Sequence, residues 1–330
     1  MKWSPHLSLL PALASCVVIV LAGCESDRPA SRGLKPLSPK MLALLDQKSM
    51  PKESPILIRL FKEESEVEVW KQDKSGRFAL LKTYPICRWS GELGPKIREG
   101  DRQAPEGFYT VTPAQMNPNS HYHLSFDIGY PNAYDRALNR TGSHIMMHGD
   151  CSSRGCYAMT DEQISEIYAL ARESFVGNQQ FFQVQAYPFR MSLLNMVRHR
   201  SNPNMPFWKM LKEGNDHFEV TQLEPKVDVC EGRYVFDAVP VSGSLANETG
   251  PNGFASAPTT AELRFNPTGS CPPYRIRNEI ATAVAEKNRR DEIHTSDLVT
   301  HGSPTVPVRT GANGGMDPVF RTGQNSSEVD

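Results

Sequence analysis

The sequence predicts an α+β fold, mainly β: a sandwich of short strands with one principal helix and a small helical extension. Three observations carry that reading. From Pro55 to Ala186 the apolar residues come as short runs or in alternation, the two patterns that strands bury. One stretch breaks the pattern, where Ile164, Ile167, Tyr168 and Ala171 recur at helical spacing behind Thr160, with Gln163 completing a capping box. Beyond the last strand the spacing turns helical again, over Ser192 to His199 and Phe207 to Lys212.

The elements follow in order. Lys2 precedes an apolar run from Leu7 to Ala22, broken by Pro11 and shorter than a membrane span requires, so residues 1–23 read as an export signal. The run closes on Leu21-Ala22-Gly23-Cys24, which resembles the bacterial lipobox, whose cysteine is lipidated after cleavage just before it. On that reading Cys24 anchors the chain to a membrane and the body faces the periplasm of a Gram-negative bacterium; an ordinary cleaved signal is the other reading. Residues 24–54 are rich in Ser, Pro and Lys, with one apolar patch at Met41 to Leu45, and read as a tether holding a short helix.

Order is expected from Pro55. Ile56 to Ile58 and the alternating Val67 and Val69 read as strands, Asp73-Lys74-Ser75-Gly76 as a turn, and Phe78 to Ile86 as the returning strand. Gly107 to Val111, His123 to Ile128, Ser143 to His148 and Phe181 to Ala186 add four more. Residues 55–190 thus form a catalytic-size domain and 191–237 its extension, ending with the strand-like Arg233 to Phe236. Residues 238–330 are dominated by Ser, Thr, Pro, Gly, Asn and charge, which reads as a largely disordered tail with one helical stretch at Ile280 to Ile293.

Lys and Arg number 36 against 37 Asp and Glu, for a formal charge of −1, and no basic run is present, so nothing marks a nucleic-acid surface. Of the 7 cysteines, Cys16 falls in the signal and Cys24 at the anchor, leaving Cys87, Cys151, Cys156, Cys230 and Cys271. An odd set in an oxidising compartment leaves at least one thiol unpaired, as a nucleophile must be. Cys87 and Cys230 are one possible pair.

The most informative run is His148-Gly149-Asp150-Cys151-Ser152-Ser153-Arg154-Gly155-Cys156, between an expected strand and the principal helix. Three chemistries compete for it. Zinc would take His144, His148, Cys151 and Cys156, but in a strand the two histidines point to one face about 13 Å apart, too far to share an ion. A disulfide between Cys151 and Cys156 would make the run a structural loop. Otherwise Cys156 is a nucleophile and His148 the base that takes its proton, with Gly155 letting the backbone turn sharply beside it.

The histidine-glycine pair at a strand end and the segment Ser153-Arg154-Gly155-Cys156 resemble the L,D-transpeptidase catalytic domain, or YkuD domain, most closely its YafK-like branch. The likeness continues through Phe61-Lys62-Glu63-Glu64, the run from Tyr84 through Gly91-Glu92-Leu93-Gly94 to Ala104-Pro105-Glu106-Gly107-Phe108-Tyr109, Asn117 to Asp135, and Gly155-Cys156-Tyr157-Ala158-Met159-Thr160-Asp161, covering about residues 55–237. It implies a YkuD-like β-sandwich needing no cofactor or metal, with peptidoglycan stem peptides as substrates and a peptidoglycan-linked lipoprotein as a further partner. It also implies attack by Cys156 on a meso-diaminopimelate carbonyl, proton transfer through His148, and an active-site loop of Gly149, Ser153 and Gly155. Backbone N–H groups of Gly155 and Cys156 are the implied oxyanion donors.

Many members carry a second histidine where this chain has Arg154, and a longer insertion before the cysteine. Arg154 is therefore a candidate for a substrate carboxylate, against the alternative of a solvated surface arginine. Tyr122 and His123 are candidates for the donor groove, against a purely structural role. The thioester passes to an amine, giving a cross-link or an attached lipoprotein, or to water, releasing one. A wall-binding lipoprotein with the same fold and no turnover is the different-class alternative, which the presence of both His148 and Cys156 argues against.

Overall fold

The computed structural model describes Met1 and residues 32–241 and 263–300. The export signal, the lipobox and Cys24 lie outside them. Two five-stranded sheets face each other across one apolar core. The first has β1 (Ile56–Phe61), β2 (Glu66–Gln72), β3 (Phe78–Pro85), β5 (Gly107–Val111) and β10 (Phe182–Tyr187) in the order β3-β2-β1-β10-β5. The second has β4 (Arg88–Trp89), β6 (Met116–Asn117), β7 (Ser125–Asp127), β8 (Met146–His148) and β9 (Tyr157–Ala158) in the order β4-β9-β8-β7-β6. β1 is buried along its whole length, between antiparallel β2 and parallel β10, and its sequence is apolar at every position but Arg59.

Ordered structure begins before Pro55. Ser38 caps α1 (Pro39–Gln47) by accepting from the Met41 N–H, Pro39 sits in the first turn where its missing N–H costs nothing, and Met41 and Leu45 enter the core one turn apart. The stretch read as a tether is, from Leu37 to Met50, part of the domain. The principal helix α3 (Asp161–Val176) follows the short helix α2 (Ala133–Ala137) and starts at the expected Thr160–Gln163 capping box. It lays Ile164, Ile167, Tyr168 and Ala171 on the core.

The extension holds α4 (Leu193–Arg198), α5 (Met205–Thr221) and the hairpin β11 (Val227–Cys230) and β12 (Arg233–Phe236). α5 runs well beyond the expected Phe207 to Lys212. Its Gly214 passes under the rings of Phe108 and Phe236, where an added Cβ would lie 2.4 Å from Phe108, and its Asn215 is buried as an acceptor for Arg59. Residues that look like helix breakers are here packing residues.

Part of the segment read as a disordered tail is also ordered. β13 (Ala238–Pro240) pairs with β14 (Tyr274–Ile276), a disulfide joins Cys230 to Cys271, and α6 (Asn278–Thr300) lies against α4 and α5. α6 contains the helical stretch expected at Ile280 to Ile293, and it docks with the help of charge, with Lys212 on Asp291 and Lys287 on Asp216.

Candidate active site

The three central strands of the second sheet build the site. Register pairs Phe126 with Met147 and Met147 with Tyr157, and all three side chains are fully buried in the core between the sheets. Strand alternation therefore sends Ser125 and Asp127, Met146 and His148, and Cys156 and Ala158 to the opposite face. Two rows result. Ser125, His148 and Ala158 lie side by side, and one step away Asp127 pairs with Met146, whose N–H donates to Cys156 Sγ at 3.4 Å. Cys156 and His148 are thus diagonal neighbours on adjacent strands, about 7–8 Å apart at the backbone and within side-chain reach.

Cys156 is the free cysteine among the described residues. Cys87 is bonded to Cys151, so neither the zinc set nor a Cys151–Cys156 loop is assembled, and Cys230 pairs with Cys271 rather than with Cys87. His144 has a left-handed backbone, with φ 54°, and β8 starts only at Met146, so the long strand expected from Ser143 does not form. The carbonyl of His144 instead lies 3.8 Å from Cys156 Sγ.

His148 is buried, and its Nδ1 lies 2.6 Å from the Gly149 carbonyl. A carbonyl only accepts, so Nδ1 carries the proton and Nε2 keeps its lone pair, the form a general base needs. Burial lowers the His148 pKa below the ordinary imidazole value, against smaller opposing effects from the Gly149 carbonyl and Asp150. Burial likewise pushes the Cys156 thiol up, opposed by the Met146 N–H and aided by Asp127. Both shifts run toward the uncharged forms, thiol and imidazole.

The loop between them is tied at several points. Gly149 donates to the Tyr122 carbonyl, and a Cβ there would meet Asp161 Oδ1 at 2.4 Å. Asp150 and Cys151 are left-handed, and the Cys87–Cys151 disulfide joins the loop to the residue before β4. Ser153 Oγ donates to the Cys156 carbonyl at 2.7 Å and lies 3.1 Å from Ser90 Oγ. The Gly155 N–H is turned toward Ser153 Oγ at 3.3 Å, a long hydrogen bond that an oxyanion can outcompete. Gly155 itself has φ 131°, open only to glycine.

Of the remaining candidates, Tyr122 belongs to the site: its ring lies 4.7 Å from that of His148 at 36° and covers the imidazole. His123 faces away from it. Its Nε2 is 2.8 Å from Ser165 Oγ and its Nδ1 3.4 Å from Asp161 Oδ2, so it braces the first turn of α3. Arg154 is exposed, with no ion-pair partner among the described residues. Sequence reasoning missed Ser90, the Cys87 linkage and Asp127; for Asp127 the signal was available in the alternation Ser125-Phe126-Asp127.

One wall is built at a distance. Lys62, wholly buried, donates to the carbonyls of Glu92, Gly94 and Ala104 and to Glu106 Oε1, while Gln103 clamps the same segment. The backbone of Arg102 and Gln103 is thereby held beside Gly155.

With that geometry in view, the family model of the L,D-transpeptidase catalytic domain (YkuD) matches residues 58–179. YafK of Escherichia coli (strain K12), whose name places it among the L,D-transpeptidases, is 44% identical over 211 residues, spanning 64% of this chain and 83% of that protein. The chain belongs to this family. Solved structures give weaker likenesses. The helical cell shape determining protein Pgp2 from Campylobacter jejuni is 21% identical with a TM-score of 0.34, over 46% of this chain and 56% of that one. Bd1075 of Bdellovibrio bacteriovorus is also 21% identical, with a TM-score of 0.28, over 41% and 49%. In both cases this chain spans less than two thirds of the solved one.

Proposed function

We propose that the chain is a peptidoglycan acyl-transfer enzyme working through a thioester on Cys156. The observation that carries the reading is the pairing of an unbridged thiol with an imidazole whose Nδ1 proton is committed to a backbone carbonyl, on one face of the second sheet. In the first half-reaction Cys156 Sγ bonds to the carbonyl carbon at the L-centre of meso-diaminopimelate in a stem peptide. His148 Nε2 takes the thiol proton and delivers it to the leaving amine as the C–N bond breaks. The Gly155 and Cys156 N–H groups receive the oxyanion.

In the second half-reaction an amine attacks the thioester, giving a cross-link or an attached lipoprotein, or water attacks it, releasing a wall-bound lipoprotein. Either way the attacking group's proton passes through His148 to the departing thiolate. Two disulfides fit a compartment outside the cytoplasm, and we place the protein in the periplasm, anchored by lipid on Cys24.

Mass spectrometry after incubation with a carbapenem tests the thiol: an adduct on Cys156, absent from Cys156→Ala, is expected. No adduct on the wild-type chain would sink the acyl-enzyme reading in favour of a wall-binding protein. Muropeptides bearing a lipoprotein remnant separate the two outcomes, since loss of the remnant means hydrolysis and a new linkage means transfer.

A further inference from the structure

The row that carries the nucleophile also carries a feature the chemistry above leaves unused. Cys156, Met146 and Asp127 stand side by side across β9, β8 and β7, all facing away from the core. Asp127 is half-buried; its Oδ1 accepts the Gly129 N–H at 2.8 Å, and no cation among the described residues lies within ion-pair distance of it. A carboxylate drawn partly out of water without a cation is costly, and burial raises the Asp127 pKa, opposed by the Gly129 N–H and, less, by His144. Lys96, the ammonium near Cys156, is committed to Asp101 and the Arg98 carbonyl.

We propose that Asp127 selects the acyl donor, binding the free ammonium at the far end of the diaminopimelyl side chain while Cys156 attacks the carbonyl at the near end. The inference rests on the diaminopimelyl reading given above. Two strand spacings separate Asp127 from Cys156, about 10 Å. Six bonds join the attacked carbonyl carbon to the distal nitrogen, about 7 Å when extended. An N–H···O contact of about 3 Å completes the span. Between the two poles Met146 supplies an apolar floor for the methylenes. Reading along the row, nucleophile, thioether and carboxylate match carbonyl, methylenes and ammonium. A donor whose distal amine is already acylated, as in a cross-linked stem, loses the ion pair and places an uncharged amide against a half-buried carboxylate.

The test compares two synthetic tetrapeptide donors, one with the distal amine free and one with it acetylated, on the full chain and on Asp127→Asn. Asparagine keeps an oxygen for the Gly129 N–H, so the turn after β7 retains its bond. Wild type is expected to favour the free amine by about ten- to a hundredfold in kcat/KM, and Asp127→Asn to bring that ratio to about one, chiefly by losing rate on the free-amine donor. Asp127→Lys is expected to turn the preference toward the acetylated donor. A ratio that survives in Asp127→Asn would overturn the role of Asp127 alone. Turnover of neither donor by the wild-type chain would remove the diaminopimelyl reading, and the inference with it.

Discussion

The two sheets of the sandwich are held in different ways. In the first, strands of 5 to 8 residues register one another through long ladders, interrupted between β2 and β3 by one register shift at Val69 and Trp70, and β1 is buried throughout. In the second, no strand exceeds 3 residues. Ladders that short cannot fix their own register, and the work passes to cross-links: the Cys87–Cys151 disulfide, Ser153 on the Cys156 carbonyl, and the Lys62 ammonium gathering three carbonyls. Left-handed residues cluster around the second sheet, at His123, His144, Asp150, Cys151 and Gly155. Reactive groups are placed where the chain turns sharply, and the long-stranded sheet holds those turns still.

Four experiments press on that contrast. The largest effect belongs to the second sheet: His148→Gln is expected to slow carbapenem acylation of Cys156 by about 10²–10⁴-fold, with the circular dichroism unchanged. Loss of fold in that variant would mean the imidazole is holding the sheet together. Next comes the first sheet, where Ile58→Ala is expected to cost about 2–5 kcal/mol in urea unfolding while the folded fraction keeps its acylation rate. Third, Cys87→Ser with Cys151→Ser opens a linkage spanning 64 residues, worth about 2–4 kcal/mol. Amide exchange should quicken over residues 146–158 and stay slow over 56–61; uniform quickening would merge the two sheets into one unit.

The fourth experiment separates the sheets by pH. Lys71 in β2 is buried on the carbonyls of Lys52 and Ser54 and on Ser174 Oγ, and burial lowers its pKa to about 7. A lowered folded pKa means the unfolded chain binds the extra proton between the ordinary lysine value and about 7. This group's contribution to stability therefore falls as pH falls across that window and is level below it. His148 acts on rate instead: its lowered pKa keeps Nε2 free, so acylation should hold as pH drops to about 6.5 and decline only below it. A rate loss beginning above neutrality would contradict the neutral base.

The same contrast explains what could be read from the residues. Val67 and Val69 alternate, residues 56–58 are continuously apolar, and Thr160 with Gln163 frames a helix, so the first sheet and α3 were legible as local patterns. The strands expected from His123 and from Ser143 were too long because left-handed turns at His123 and His144 are imposed by tertiary bonds, with no glycine to mark them. The candidate pair was visible in the spacing of His148 and Cys156. Its surroundings were not, since Cys87, Ser90 and Lys62 arrive from distant parts of the chain. α6 was legible as a helical stretch at Ile280 to Ile293, but its docking was not, because the residues that hold it, Lys287 and Asp291, are the kind that also populate a solvated tail.

The contact between His148 Nδ1 and the carbonyl of the very next residue has one more consequence. Many catalytic histidines are oriented by a third side chain, which a substitution can delete. Here the orienting oxygen belongs to the peptide itself, so no replacement at any position removes it, and the loop can shift while its base carries the correct tautomer along. A saturation scan of this site should therefore register the orienting group only indirectly, at Gly149, where an added Cβ would meet Asp161 Oδ1 at 2.4 Å and displace the carbonyl.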